Sequence, residues 1–343
     1  MSAQRSADRL AASLRRATGD AHPSLTSAVI PALLRGIGRT AAALRAAHSV
    51  ETAGSENVFG DAQLNVDVLA ECHFREEIAA CASIAAASSE EDPVERPRSA
   101  VAAGGDDAAK EEQNGDDSDD IYAVAFDPLD GSSIITPNWA VGSIVGVWAG
   151  RSALRQDPGR QVAAVLGVYG PRTTAVIAVR VPGREAAAVC LEVGIPGDGS
   201  QCEIIRDLRL RETEKTGAPR YFAPANLRAA AEDPRYMALV TRLAAARYTL
   251  RYSGGLVPDV AHALVKGHGV YLSPVAPGSR AKLRRAFELL PVALVVECAG
   301  GAAVDPSDGR RVLETPLRDL NETAGLVCGT AAEVERAMDA LLG

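Results

Sequence analysis

Asp127-Pro128-Leu129-Asp130-Gly131-Ser132-Ser133 follows a run of strand-forming residues, Tyr122 to Phe126, and precedes a second apolar run, Ser143 to Trp148. Pro128 fixes the backbone between two carboxylates. A turn placed here lets Asp127 and Asp130 face one site. Gly131, Ser132 and Ser133 then supply small residues whose backbone N–H groups suit an anion, the more so if a helix or nest begins there. An ordinary Asp-Pro or Asp-Gly surface turn is the competing reading of an isolated DxxD. Seven such residues in succession weigh against it and predict a cation-and-anion platform between two strands.

Working outward, Val162 to Val168 and Thr174 to Val179 read as further strands, punctuated by Gly170-Pro171. Leu227 to Ala246 and Ala331 to Leu342 carry helical periodicity, while Gly269 to Leu272 and Ala293 to Val296 are short apolar runs that suit either strand or helix. Leu10, Leu14, Leu33, Leu34, Ile37 and Leu44 predict two N-terminal helices broken near Asp20 and Pro23. The Ala-, Arg- and Ser-rich composition of the same segment also suits an organellar transit peptide. The helical reading, and with it a cytoplasmic protein, is preferred; a plastid address is the alternative. From Asp92 to Asp120 the chain is Pro, Gly, Ala and acid with almost no large apolar residue, and a disordered insert is expected there. The fold class expected is mixed α/β.

The chain has 343 residues, 47% of them hydrophobic, enough for a sizeable core. Its net charge of -8 is concentrated, because Asp106 to Asp120 hold eight acids against Lys110 alone. With no basic stripe elsewhere, nucleic acid is not expected as a partner. No apolar run is long enough to span a bilayer, so no membrane role is expected. Six cysteines without CxxC spacing argue against zinc and against a disulfide framework.

Acids recur in four places: Asp61 with Asp67, Glu90-Glu91-Asp92, Asp127 with Asp130, and Glu288. Dispersed carboxylates that converge in space suit a hard divalent cation, which prefers oxygen ligands. Asp61 and Asp67 taken alone fit helix caps, and Glu90 to Asp92 fit a solvated run. Glu288 is less easily dismissed, since a carboxylate between Phe287 and Leu289 demands a partner. Lys282 and Arg284 alternate on an extended segment and so share a face suited to phosphate, or are plain surface cations that snorkel to solvent. Gly254 and Gly255 suit close backbone approach to a ligand, or a plain turn.

The chain resembles the fructose-1,6-bisphosphatase/sedoheptulose-1,7-bisphosphatase family of Mg²⁺-dependent, Li⁺-sensitive sugar phosphatases. Asn57-Val-Phe-Gly-Asp61, Gln63 to Ala70, Ser89-Glu90-Glu91, Phe126 to Ser133, Lys282-Leu-Arg284, Phe287-Glu288 and Glu297 to Gly301 all look like family blocks. Val141 to Trp148, Gly167 to Thr174, Pro224 to Arg228 and Arg251 to Asp259 look like its sedoheptulose branch. The resemblance implies a layered αβαβα fold with two mixed sheets between helices, an N-terminal domain over 1–203 and a C-terminal domain over 204–343. It implies Glu90, Asp127, the carbonyl of Leu129, Asp130 and Glu288 as ligands of two or three Mg²⁺ or Mn²⁺ ions, and Asp67, Glu90 and Glu91 near the attacking water.

The same resemblance assigns Gly131, Ser132, Ser133, Asn226, Arg251, Tyr252, Gly254, Lys282 and Arg284 to a sugar bisphosphate, with Arg251 supplied by a neighbouring subunit of a homodimer or homotetramer. Ala229 and Ser273 stand where fructose bisphosphatases carry aromatic contacts to the far phosphate. That departure favours hydrolysis of the 1-phosphate of sedoheptulose 1,7-bisphosphate. A fructose-1,6-bisphosphatase or dual enzyme, and a catalytically silent sugar-phosphate sensor or scaffold, are the alternatives.

Overall fold

The computed structural model describes residues 2–56, 62–101, 120–212, 218–280 and 282–343. Asp61 and most of the acidic stretch, residues 102–119, lie outside them. In the strand Tyr122–Asp130, residues Tyr122, Val124 and Phe126 enter one core while Ala123 and Ala125 enter another. That is the period-2 pattern of a strand buried on both faces. Antiparallel pairing carries the sheet outward through Val141–Ala149, Gln161–Tyr169, Thr173–Val179, Val189–Gly194 and Glu203–Asp207. On the opposite side Ile84–Ser89 joins in parallel and Arg96–Pro97 closes the edge, giving eight strands.

A second, five-stranded mixed sheet is ordered Thr249–Leu250, Tyr221–Pro224, Val270–Ser273, Leu326–Gly329, Ala302–Val304. Helices Ser2–Thr18, Ile30–Ala46 and Asn65–Ala80 cover the outer face of the first sheet. Helices Leu256–Lys266 and Leu290–Cys298 fill the space between the sheets. Helices Pro234–Ala245 and Ala331–Leu342 cover the far face of the second. The order is αβαβα, as expected. The run Ala293 to Val296 resolves as helix, and Leu290 through Val296 is buried on every side because sheets flank it above and below. Gly142 lets the middle layer come close, since a Cβ there would meet Val257 Cβ at 2.4 Å and Gly167 O at 2.8 Å.

Several local expectations are corrected. The strand does not end at Phe126: it runs through Asp130, and the turn begins only at Gly131. Leu227 to Ala246 is not one helix, because Pro234 starts a new one after a short 3₁₀ turn, Leu227–Ala231, with Asp233 accepting the Arg235 N–H as its cap. The stretch from Asp92 to Asp120 is ordered at both ends: Arg96–Pro97 pairs with Ala86 and Ala87, and Asp120 accepts bonds from the Ser24 N–H, the Ser24 hydroxyl and the Tyr122 hydroxyl. The first sheet ends with the strand Glu203–Asp207. Among the described residues no helix is long and apolar enough to cross a membrane.

Candidate active site

Residues three apart on a regular strand point to opposite faces. Asp127 nonetheless pairs with Ile144 and Asp130 with Gly142, so Pro128 and Leu129 oppose the single residue Ser143. This bulge adds one residue, restores the phase, and puts both carboxylates on one side. Pro128, having no N–H for the ladder, suits the bulged position. Its carbonyl accepts the Ser143 hydroxyl at 2.6 Å, and that hydroxyl also meets the Tyr169 hydroxyl at 2.6 Å.

Glu288 joins the two aspartates from a wide π-type turn, Arg285–Leu289, that opens the central helix. Carboxylate oxygens of Asp127, Asp130 and Glu288 all lie within 4.8 Å of one another, and all three residues are buried. Burial, together with the charges of Glu90, Asp130 and Glu288, holds the Asp127 carboxyl well above the usual carboxylate range. Burial and Glu90 do the same to Glu288. Asp130 is pushed up to about 6 by burial, against the opposing pull of the Val257 and Leu256 N–H groups. Each acid is also anchored to the backbone: Asp127 accepts the Leu129 N–H at 2.9 Å, Glu288 the Arg284 N–H, and Asp130 the Leu256 and Val257 N–H groups at 3.2 and 2.6 Å. Converging, preoriented oxygens that repel one another without a counter-charge fit a hard divalent cation.

Beside this cluster, Asp67 sits in the first turn of Asn65–Ala80, where it accepts the Leu64 N–H at 2.9 Å and the Ser132 hydroxyl at 3.2 Å. Burial, with a smaller contribution from the charge of Glu91, pushes its carboxyl up to about 6. Glu90 continues the parallel pairing, its N–H donating to Phe126 O at 3.0 Å, and its carboxylate lies 3.7 Å from Arg284 Nε. The structure therefore brings together Asp67, Glu90, Glu91, Asp127, Asp130, Glu288, Ser132 and Arg284. The Leu129 carbonyl accepts the Ser132 hydroxyl at 3.2 Å. Gly131 takes φ 96° and opens the four-residue helix Ser132–Ile135, with Ser133 exposed. Lys282 is exposed, next to the short strand Leu283–Arg284.

Of the remaining expected contacts, Arg251, Tyr252 and Gly254 lie along the segment that leads into Leu256–Lys266. Tyr252 is 40% exposed, and burial pushes its hydroxyl up. Asn226 adopts a left-handed φ of 47° and donates its amide to the Pro274 and Ser279 carbonyls at 2.7 and 3.2 Å. Its side chain thus pins a loop. Arg251 is exposed and donates to its neighbour's carbonyl, Leu250 O, at 2.8 Å. Ala229 is fully buried and Ser273 nearly so.

Sequence reasoning missed two acids. Asp259 accepts the Ser253 and Gly254 N–H groups at 2.7 and 3.3 Å, holding the segment whose next residues bind Asp130. Glu71 lies behind Glu90 and Glu91 on the helix that carries Asp67. The four-residue spacings from Asp67 to Glu71 and on to Arg75 were the available signal, since they stack three charged residues on one helix face.

Residues 12–194 match the fructose-1-6-bisphosphatase N-terminal domain and residues 216–342 its C-terminal domain. The chain is 39% identical over 224 residues to a chloroplastic sedoheptulose-1,7-bisphosphatase of Triticum aestivum, covering 65% of this chain and 53% of that protein. It is 33% identical over 287 residues to a class 1 fructose-1,6-bisphosphatase of Syntrophotalea carbinolica, covering 83% of this chain and 79% of that one. The chain spans about half the length of the chloroplastic relatives it matches. A 1.85 Å crystal structure from Toxoplasma gondii, provisionally named a sedoheptulose-1,7 bisphosphatase, superposes with a TM-score of 0.82 at 35% identity over 97% of this chain and 98% of that one. With both domains matched, relatives above 30% identity and the layered fold in place, the chain belongs to the fructose-1,6-bisphosphatase family.

Proposed function

We propose that the protein hydrolyses the 1-phosphate of sedoheptulose 1,7-bisphosphate by in-line attack of water. The observation that carries the reaction type is the cluster of buried Asp127, Asp130 and Glu288 oxygens within 4.8 Å of one another, with Asp67 alongside. Asp127, Asp130, Glu288, Glu90 and the Leu129 carbonyl are the ligands proposed for two or three Mg²⁺ ions. Bound there, Mg²⁺ supplies neutralisation of phosphoryl charge and acidification of water. The chain's own residues do the rest. Backbone N–H groups hold the ligand carboxylates in place before substrate arrives, so little reorganisation is needed at reaction. Asp67, with its carboxyl near 6 and its second oxygen tied to the Leu64 N–H, is poised to take a proton from water, with Glu91 beside it. Arg284 brings positive charge to the carboxylates from the far wall.

Choice of sugar is assigned to the other end of the site. The blocks resembling the sedoheptulose branch, the 39% identity to the wheat sedoheptulose bisphosphatase, and small residues at Ala229 and Ser273 favour the seven-carbon substrate. Gly131, Ser132, Ser133, Lys282 and Arg284 are assigned to the substrate's phosphates; Asn226, Arg251, Tyr252 and Gly254 are assigned to the distal end, with Arg251 reaching a neighbouring subunit in a homodimer or homotetramer. Phosphate release from the two bisphosphates, measured in parallel with and without Mg²⁺, tests the proposal. Faster turnover of sedoheptulose 1,7-bisphosphate supports it, and a clear preference for fructose 1,6-bisphosphate sinks the substrate assignment.

A further inference from the structure

Glu90 and Glu91 sit on a four-residue turn at the end of Ile84–Ser89, pointing towards carboxylates that repel them. A turn under that repulsion relieves it by swinging towards solvent unless something holds it.

What holds it is a set of side chains behind the site. Ser89 and Asp92 close the turn: the Ser89 N–H donates to Asp92 O at 3.1 Å and the Asp92 N–H to Ser89 Oγ at 3.0 Å. Ser89 Oγ in turn donates to Glu71 Oε1 at 2.7 Å, which also accepts Arg75 Nε at 2.5 Å. Arg75 reaches on to Asp92 at 3.3 Å and Arg96 pairs with Asp92 from the other side. Glu71 lies one helical turn beyond Asp67, so one rigid helix fixes both a group beside the attacking water and the support of the Glu90–Glu91 turn.

We propose that Glu71 and Ser89 are positioning residues of this site, acting as one unit that holds Glu90 and Glu91 in register with Asp67 and the cation cluster. The proposal rests on the phosphatase reading above. Neither residue reaches the substrate; their effect passes through the turn, as with partners that orient metal ligands.

The test compares Ser89→Ala, Glu71→Gln and the double variant with wild type. Both single variants are expected to lower kcat by on the order of 10- to 100-fold. Half-saturating Mg²⁺, read by calorimetric titration without substrate, should rise severalfold while KM for the sugar bisphosphate stays within about twofold. Because the two act as a unit, the double variant should lose no more than the worse single one. Unchanged kcat and Mg²⁺ affinity in folded Ser89→Ala overturn the proposal, as does a double variant whose losses multiply. Should Glu71→Gln fail to fold, Ser89→Ala alone decides. An enzyme that is active in wild type and loses activity in Asp127→Asn, yet ignores Ser89→Ala, sinks the positioning role alone. A wild-type protein that releases no phosphate from either bisphosphate sinks the phosphatase reading instead.

Discussion

The carboxylate of Asp130 accepts the Val257 N–H at 2.6 Å, so a member of the proposed cation cluster is also the N-terminal cap of the helix Leu256–Lys266. Its other oxygen takes the Leu256 N–H at 3.2 Å. The positive end of the helix thereby meets a buried negative charge, an arrangement worth up to about 2 kcal/mol in partly buried geometries. Asp259 grips the preceding residues from the other side, so the sugar-side segment and the carboxylate cluster share one anchor.

Asp130→Asn should therefore lose activity without the gain in stability that removing a buried charge would otherwise bring. An amide offers one acceptor where the carboxylate offered two, so the helix start loosens by about 1 kcal/mol, which offsets that relief. Loss of a ligand should cost phosphatase activity 100-fold or more, on the order of a removed catalytic charge. Denaturant titration and steady-state rates read the two effects separately.

Asp127→Asn should split them. Its Oδ1 already accepts the Leu129 N–H, a bond an asparagine oxygen keeps. The change removes one of several buried like charges, so the metal-free variant is expected to melt about 2–4 °C higher than wild type, the shift of roughly 1 kcal/mol in a protein of this class. Activity should fall at least as far as in Asp130→Asn. A lower melting temperature in the absence of divalent cation would contradict the repulsion argument.

The pH dependence follows from the same acids. Asp67 and Asp130 carry carboxyls near 6 in the folded chain against about 3.8 unfolded. Between those values the folded state binds more protons than the unfolded one, so stability declines as pH rises. Metal-free protein should lose melting temperature from pH 4 through about pH 6, and the loss should continue above it, because the Asp127 and Glu288 carboxyls are also held well above their usual range. Adding Mg²⁺ should flatten the decline, since a bound cation favours the ionised form. Thermal melts at constant ionic strength, with EDTA or with Mg²⁺, check this.

Gly142→Ala should act at a distance. The added Cβ would press on Val257 at 2.4 Å, the residue whose N–H caps Asp130. Overpacking of this kind costs about 1–3 kcal/mol. Because the displaced helix carries the Asp130 anchor, kcat should drop together with stability. Fully retained kcat in a destabilised Gly142→Ala would separate helix placement from the site.

Much of the site was legible because its residues are polar where the surrounding pattern is apolar: Glu288 between Phe287 and Leu289, and two aspartates at the end of a strand. The mixed α/β class followed from the strand and helix runs, and the layered order from the family resemblance. The bulge was not legible, because it is defined by what lies across the ladder, and Ser143 says nothing of its partner in one dimension. Asn226 shows another limit: its residue type suits a ligand contact, and only the fold reveals that its amide hydrogens hold the Pro274 and Ser279 carbonyls. Glu71 and Asp259 were hidden for a similar reason, since each serves through backbone or hydroxyl groups supplied by another segment.

The bulge at Pro128 and Leu129 also bears on how this stretch tolerates change. Substitutions there alter letters while leaving the count intact, and a variant at position 129 keeps Asp127 and Asp130 in phase provided it fits the apolar pocket. Adding a single residue does something different in kind: with the bulge kept, Asp130 would move opposite Val141 and rotate into the oily layer under the outer helices, where Val141, Leu129 and Phe126 now lie. The segment is thus a ruler as much as a ligand set: an insertion of one residue is its most damaging lesion, whereas loss of one would erase the bulge and leave Asp127 and Asp130 two apart on the same face.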